Sequence, residues 1–208
     1  MRNTILSIAI ISLLSGLACP SFADEQSYLA KERFQLRVRA LGVVPDESSS
    51  VNIGGNVKVG NSLTPEVDLT YYFTPKIAVE AIAATAKHSL SHTAAGDLGD
   101  TWILPPTVTL QYHFTPEDNF SPYLGAGLNY SIFHHENAAQ GFGDLNIDPG
   151  FGVAAQAGFD YWLNKNWGVN FDVKKLWLNV DASLNNGAVK ADVDLDPWLI
   201  GAGISYRF

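Results

Sequence analysis

The sequence predicts an all-β chain, an eight-stranded antiparallel transmembrane β-barrel with long extracellular loops and short periplasmic turns. Three observations lead there. First, the closing residues alternate: Phe208, Tyr206, Ile204, Ala202, Ile200 and Trp198 fall on one face, Arg207, Ser205, Gly203, Gly201 and Leu199 on the other. A strand sends successive side chains to opposite sides, so this one has an apolar face with aromatic ends and a small, polar second face. Second, the same alternation recurs in segments of about ten residues, the length that crosses a bilayer as a tilted strand. Third, long and short connections alternate strictly, as a membrane barrel requires and a soluble sandwich does not. Closure also removes the edge strands that hydrocarbon would leave unpaired.

The start of the chain sets the compartment. Arg2 precedes a short apolar core, Ile5 to Leu14, and small residues lead to Ser21-Phe22-Ala23. A basic start, a short apolar core and a small-x-small end predict a secretory signal peptide over residues 1–23, cut after Ala23, with the barrel domain over 24–208. Cys19 raises a lipoprotein alternative, against which stand Gly16 at the position of the usual large aliphatic and Pro20 after the cysteine. Without Cys19 the chain has no cysteine and forms no disulfide in an oxidising compartment. The leader removes one basic residue, leaving twelve against twenty-one acidic ones and a net charge of −9. That balance argues against nucleic acid or anionic surfaces as partners.

Each strand follows in order. The first sets Phe34, Leu36, Val38 and Ala40 against Gln35, Arg37 and Arg39; a polar excursion from Pro45 to Asn61 follows. The second sets Pro65, Val67, Leu69, Tyr71 and Phe73 against Thr64, Glu66, Asp68, Thr70 and Tyr72, and turns at Thr74-Pro75-Lys76. The third sets Ile77, Val79, Ala81 and Ala83 against Ala78, Glu80, Ile82 and Ala84, before a loop from His88 to Asp100. The fourth carries Leu104, Pro106, Val108, Leu110, Tyr112 and Phe114 opposite Thr107, Thr109, Gln111 and His113. The fifth carries Leu124, Ala126, Leu128, Tyr130 and Ile132 opposite Tyr123, Gly125, Gly127, Asn129 and Ser131, with a loop from His134 to Pro149. The sixth carries Phe151, Val153, Ala155, Ala157, Phe159 and Tyr161 opposite Gln156, Asp160 and Trp162. The seventh sets Trp167, Val169, Phe171 and Val173 against Asn170, Asp172 and Lys174, and its phase is expected to slip at Lys174-Lys175 through a bulge or an exit from lipid. Asn185-Asn186-Gly187 is the hairpin signal within Asp181 to Asp196. At the short-turn ends Tyr71, Phe73, Tyr112, Phe114, Tyr161, Trp167, Tyr206 and Phe208 form a periplasmic girdle.

Leu104-Pro105-Pro106-Thr107, the run Pro122-Tyr123-Leu124-Gly125-Ala126-Gly127-Leu128-Asn129-Tyr130, Ala78-Val79-Glu80, Val193 to Trp198 and the closing Gly203 to Phe208 together carry a resemblance. On those residues the chain resembles the outer-membrane protein W family of small eight-stranded porin-like barrels. The resemblance implies an outer-membrane protein of a Gram-negative bacterium that passes small hydrophobic molecules. Some members are linked to small amino acids and to phage or colicin reception. The loops Pro45 to Asn61 and His134 to Pro149 depart from the family's pattern.

The inward positions divide into two chemistries. Arg37, Arg39, Lys174 and Arg207 face Glu66, Asp68, Glu80, Asp160 and Asp172 in a space that eight strands leave just wide enough for side chains. Paired charges of this kind fill the lumen and deny ions a path. Ile82, Phe151, Trp162 and Leu199 suit instead a narrow apolar vestibule that binds a small hydrophobic solute. Pro105 and Pro106 donate no hydrogen bond, so they mark either a lateral exit through the wall or a level just above the lipid. Ile204, Tyr206 and Phe208 form the terminal signal that barrel-assembly machinery reads.

His88 with His92, and His134 with His135, sit in presumed loops without a dependably spaced carboxylate, so no metal is expected there. Asp192, Asp194 and Asp196 share a strand face but lack the converging oxygens that calcium needs. With no nucleophile motif, no HExxH and no phosphate loop, neither an enzyme nor a cofactor is expected. Expected partners are outer-membrane lipids, the assembly machinery and a small hydrophobic solute. Two function classes remain: a passive conduit for apolar solutes, and a non-transporting surface barrel for adhesion, phage or bacteriocins.

Overall fold

The computed structural model describes residues 33–208. The expected signal peptide, Cys19 and the polar lead-in lie outside the described residues. The strands are β1 (Phe34–Val44), β2 (Ser48–Val51), β3 (Val57–Val59), β4 (Ser62–Tyr72), β5 (Ile77–Ala84), β6 (Ala86–His92), β7 (Gly96–Leu104), β8 (Thr107–His113), β9 (Phe120–Ala138), β10 (Leu145–Ile147), β11 (Gly150–Trp162), β12 (Trp167–Leu184), β13 (Val189–Asp194) and β14 (Trp198–Arg207).

Eight of them form the wall in the antiparallel order β1-β4-β5-β8-β9-β11-β12-β14, and β14 pairs back onto β1 from Gln35↔Arg207 to Val44↔Trp198. Phe34 and Phe208 close the ring by exchanging backbone hydrogen bonds of 2.9 and 3.3 Å. Facing side chains follow the expected alternation: Phe34, Leu36 and Val38 are exposed to the bilayer, while Gln35, Arg37 and Arg39 are buried in the lumen. The predicted girdle residues all point outward, joined by Phe34 and Phe120.

Glycines let the large lumen side chains fit. A Cβ on Gly203 would come within 2.0 Å of the Val38 carbonyl oxygen and 2.6 Å of the Arg39 Cα, so only hydrogen is tolerated at the strand that closes against the arginines.

Above the membrane the structure departs from the expected loops. Stretches read as polar excursions are strands: β2 and β3, β6 with most of β7, the end of β9 with β10, and the end of β12 with β13. The wall splits there into two lips, β2-β13-β12-β10 and β3-β6-β7-β9. The alternation persists but its polarity inverts, because water replaces hydrocarbon outside. On β12 Trp177 and Asn179 point outward while Leu176, Leu178 and Val180 are buried. Of the two causes expected for the slip at Lys174-Lys175, a bulge and an exit from lipid, the bulge is absent. Pairing of β12 with β11 and β14 runs through those residues without a bulge; Lys175 faces out over Trp198, 5.0 Å from its ring centroid, and the apolar residues simply change sides. Bulges occur instead at Leu90/Ser91 and Asp100/Trp102.

The inward residues of the extension form three stacked apolar clusters. Leu41, Val43, Ala86, Ala154, Leu176 and Leu199 lie lowest; Leu178, Val180, Val193 and Leu195 come next; Leu90, Leu145 and Leu184 lie at the top. Val59 and Ile147 pack against both upper clusters. The hairpin at Asn185-Asn186-Gly187 forms as expected, all three residues at positive φ (54°, 55° and 82°).

Candidate functional site

The lower lumen is a sealed charge network. Arg37 is forked onto Asp160 at 3.2 and 2.8 Å and reaches Glu80 at 2.7 Å, Thr70 at 2.7 Å and Asp68 at 3.3 Å. Arg39 reaches Glu66 and Asp68, both at 2.7 Å. Lys174 sits 2.7 Å from Asp172 and 3.0 Å from Glu66. Five carboxylates thus meet three cations, and their spare lone pairs take neutral donors. Gln111 and Gln156 give Nε2–H bonds to Glu80 at 2.8 Å, and the Tyr123 hydroxyl gives one to Asp172 at 2.8 Å. These side chains are at most 3% exposed, so no aqueous path runs between them. Burying charge is tolerable only with this degree of pairing.

Of the expected lumen charges, Arg207 stands apart. It is half-buried, lies 4.1 Å over the Trp162 ring and 5.1 Å over Tyr72, and has no carboxylate pair among the described residues. Gln111, Tyr123, Gln156 and Asn170 belong to the network but are not charged, so charge alone did not single them out; their inward phase was the available signal.

Above the network is an apolar vestibule, a cavity of about 50 Å³. Ile82 and Leu199 line it as expected, with Leu41, Val43, Ala84, Ala86, Leu176, Leu178 and Leu195. Lys174 and Glu66 form its floor. Two expected vestibule residues are not there. Phe151 points into the bilayer, 81% exposed, its ring 4.5 Å from that of Tyr130; as the second residue of β11 it is out of phase with the lumen positions. With Trp102, Trp177 and Trp198 it marks the outer aromatic level. Trp162 does face inward, but at the last residue of β11 it closes the periplasmic mouth beneath Arg207, on the far side of the charge network. The missed aliphatics lie at strand tops, in the inverted segment of the alternation.

The wall beside the vestibule has a break. Pairing of β5 with β8 ends at Ile82↔Thr107, and pairing of β6 with β7 resumes at Ala86↔Ile103. Between them lie Ala83, Ala84 and Thr85 on one side and Leu104, Pro105 and Pro106 on the other. Pro105 lines the vestibule. The opposite side of the prolines is tied: Tyr130 N donates to the Pro106 carbonyl at 3.0 Å, and Asn129 Nδ2 donates to Pro105 O at 3.2 Å and Thr107 Oγ1 at 2.8 Å. The break at the prolines therefore lies in the seam between the third and fourth staves and does not reach the fifth.

The four histidines read as loop residues all lie in strands, His88 and His92 in β6, His134 and His135 in β9. His88 Nδ1 donates to the Gly60 carbonyl at 2.7 Å, and His92 Nε2 lies 2.9 Å from Gly54 O. His134 stacks on Trp102 at 6.4 Å. Asn179 Nδ2 bridges Asp192 and Asp194 at 2.6 and 2.9 Å.

Residues 30–208 match the OmpW family. The outer-membrane protein y4mB of Sinorhizobium fredii is 46% identical, over 84% of this chain and 80% of its own. Outer membrane protein W of Vibrio cholerae is 34% identical over all of both chains. The dibenzothiophene metabolism operon protein PahQ of Pseudomonas aeruginosa is 30% identical, over 97% of this chain and 98% of its own. Among solved structures, the outer membrane protein OprG of Pseudomonas aeruginosa superposes with a TM-score of 0.81 at 32% identity, covering 86% of this chain and 96% of its own. The closed eight-stranded wall is the fold of that solved relative, and the chain is a member of the OmpW family of outer-membrane barrels.

Proposed function

We propose that this protein is a Gram-negative outer-membrane channel, secreted by a cleaved signal peptide, for passive uptake of small hydrophobic molecules. The solute descends the apolar clusters between the lips, rests in the vestibule and leaves sideways into the bilayer at Pro105 and Pro106. The observation that carries this reading is the pairing break beside a cavity with apolar walls and a sealed ionic floor. An apolar molecule resting on Glu66 and Lys174 has no favourable way down, and an unpaired seam is at its side. Height supports the lateral route. Six residues separate Tyr112 of the periplasmic girdle from Pro106; at about 3.3 Å per residue and a tilt of about 40° that is about 15 Å, inside an apolar band about 25 Å tall. Pro106 then faces hydrocarbon rather than water, and Pro105 lies at the same depth on the vestibule side. The name of PahQ, which places that relative in an operon for metabolism of an apolar aromatic, is consistent with a hydrophobic cargo.

Replacing Pro105 with Val and Pro106 with Thr restores a donor at each position. Cells producing this double variant are expected to lose uptake of a hydrophobic substrate while the barrel still folds. Undiminished uptake by the folded variant would remove the lateral exit, and an inactive wild-type barrel would remove the channel itself.

A further inference from the structure

We infer that the vestibule selects a neutral apolar molecule bearing one hydroxyl, an alcohol or phenol, and that His88 is the acceptor that holds it. This rests on the vestibule being the solute site. His88 lies in β6 and its ring forms part of the cavity wall. Its Nδ1 lies 2.7 Å from the Gly60 carbonyl oxygen, which can only accept, so the proton of the neutral ring is on Nδ1 and the lone pair on Nε2. Among the described residues nothing bonds that Nε2, and it is not among the buried polar atoms sealed from contact.

The other polar groups of the cavity have the same bias. Thr64 Oγ1 donates its hydrogen to the Thr85 carbonyl, Thr107 Oγ1 to the Pro105 carbonyl at 3.0 Å, and Ser131 Oγ to Asn129 Oδ1 at 2.8 Å. Lys174 Nζ donates to Glu66 at 3.0 and 3.3 Å and is ion-paired with Asp172 at 2.7 Å, so its charge is already matched. The hydroxyl hydrogens around the cavity are therefore taken, and what its neutral side chains offer a solute is lone pairs. A carboxylate entering it would meet only Lys174, already paired with Glu66 and Asp172, and would face the Glu66 charge across an apolar space. An alkane would leave His88 Nε2 unpaired. A hydroxyl satisfies that nitrogen and is the chemistry the wall fits.

The folded barrel in lipid nanodiscs, with 15N-labelled histidine, tests this with 1-octanol, octane and octanoate as probes. Octanol is expected to move the His88 Nε2 resonance, assigned by its loss in His88→Gln, upfield; octane and octanoate are not. In whole cells the ratio of octanol to octane uptake is expected to fall about fivefold in His88→Phe, the worth of one hydrogen bond. His88→Gln should restore it, since its amide can donate to Gly60 and accept with Oε1. An unmoved Nε2 resonance, an equal response to octanoate, or an unchanged ratio in a folded His88→Phe barrel would each overturn the inference. Should wild-type cells take up neither solute, the channel reading fails, while the nanodisc titration still decides whether the site binds a hydroxyl. Should His88→Phe not fold, the titration decides alone.

Discussion

Arg37 joins three carboxylates from three different strands, Asp68 on β4, Glu80 on β5 and Asp160 on β11. Removing it leaves those charges buried without their central cation, which costs about 3–5 kcal/mol in comparable buried pairs. Arg37→Met is therefore expected to lower the urea midpoint of the barrel in lipid vesicles sharply. Arg37→Lys should rescue only part of the loss, because an ammonium cannot fork onto Asp160. At the other end of the chemistry, burial outweighs the bond to Gly60 and holds the His88 imidazole below the ordinary histidine range. The unfolded segment takes up a proton near pH 6.5 and the folded one resists it. Stability from this residue is therefore complete above about pH 6.5 and declines as the pH falls from there towards the folded value. Amide exchange in β6 and β7, corrected for its intrinsic rate, is expected to speed up from pH 7.5 to pH 5.5, and less so in His88→Gln.

Among the elements, the closing strand supports the plainest expectation. Phe208 adds the last two backbone bonds, both to Phe34, at the periplasmic end of the β1–β14 seam, and its ring lies 5.9 Å from Phe34 and 6.0 Å from Tyr206. Deleting it should strand the chain in the periplasm, while Phe208→Tyr should still insert; heat-modifiable mobility of the outer-membrane fraction separates the two. The eight staves were legible in the sequence because hydrocarbon outside and charge inside give alternation its strongest contrast, as at Leu36-Arg37-Val38-Arg39. The extension was not. There a strand such as β12 buries Leu178 and Val180 inward and shows Asn179 and Asp181 to water, so polar residues that look like loop face solvent from a strand. Trp162 was assigned to the correct face but the wrong height, since alternation fixes side and not depth. The hydrogen bonds of Asn129 to the prolines were illegible because they join residues 24 apart in sequence across neighbouring staves.

At the scale of the molecule, two barriers are stacked: an ionic floor and an apolar chamber. Below the chamber an ion meets the floor first and then Trp162 under Arg207. Ile82→Ala enlarges the chamber and is expected to leave planar-bilayer conductance at its closed level. Replacing Glu66 and Lys174 together by Ser opens the top of the floor and should raise conductance. A rise from Ile82→Ala alone would place the ion barrier in the chamber instead.

The strand-built lips have one more consequence, for what meets the protein at the cell surface. Lys58, Lys87 and Lys190 are exposed, yet each lies within a hydrogen-bonded ladder of β3, β6 or β13 above an apolar core. A protease must draw several residues of backbone into its cleft, and a paired strand does not release them. Trypsin applied to intact cells should find abundant lysine side chains and almost no cleavable chain, so that the barrel survives surface shaving at full length. For the same reason, an antibody raised against the native surface would read a shape assembled from distant segments and fail on the denatured band of a blot.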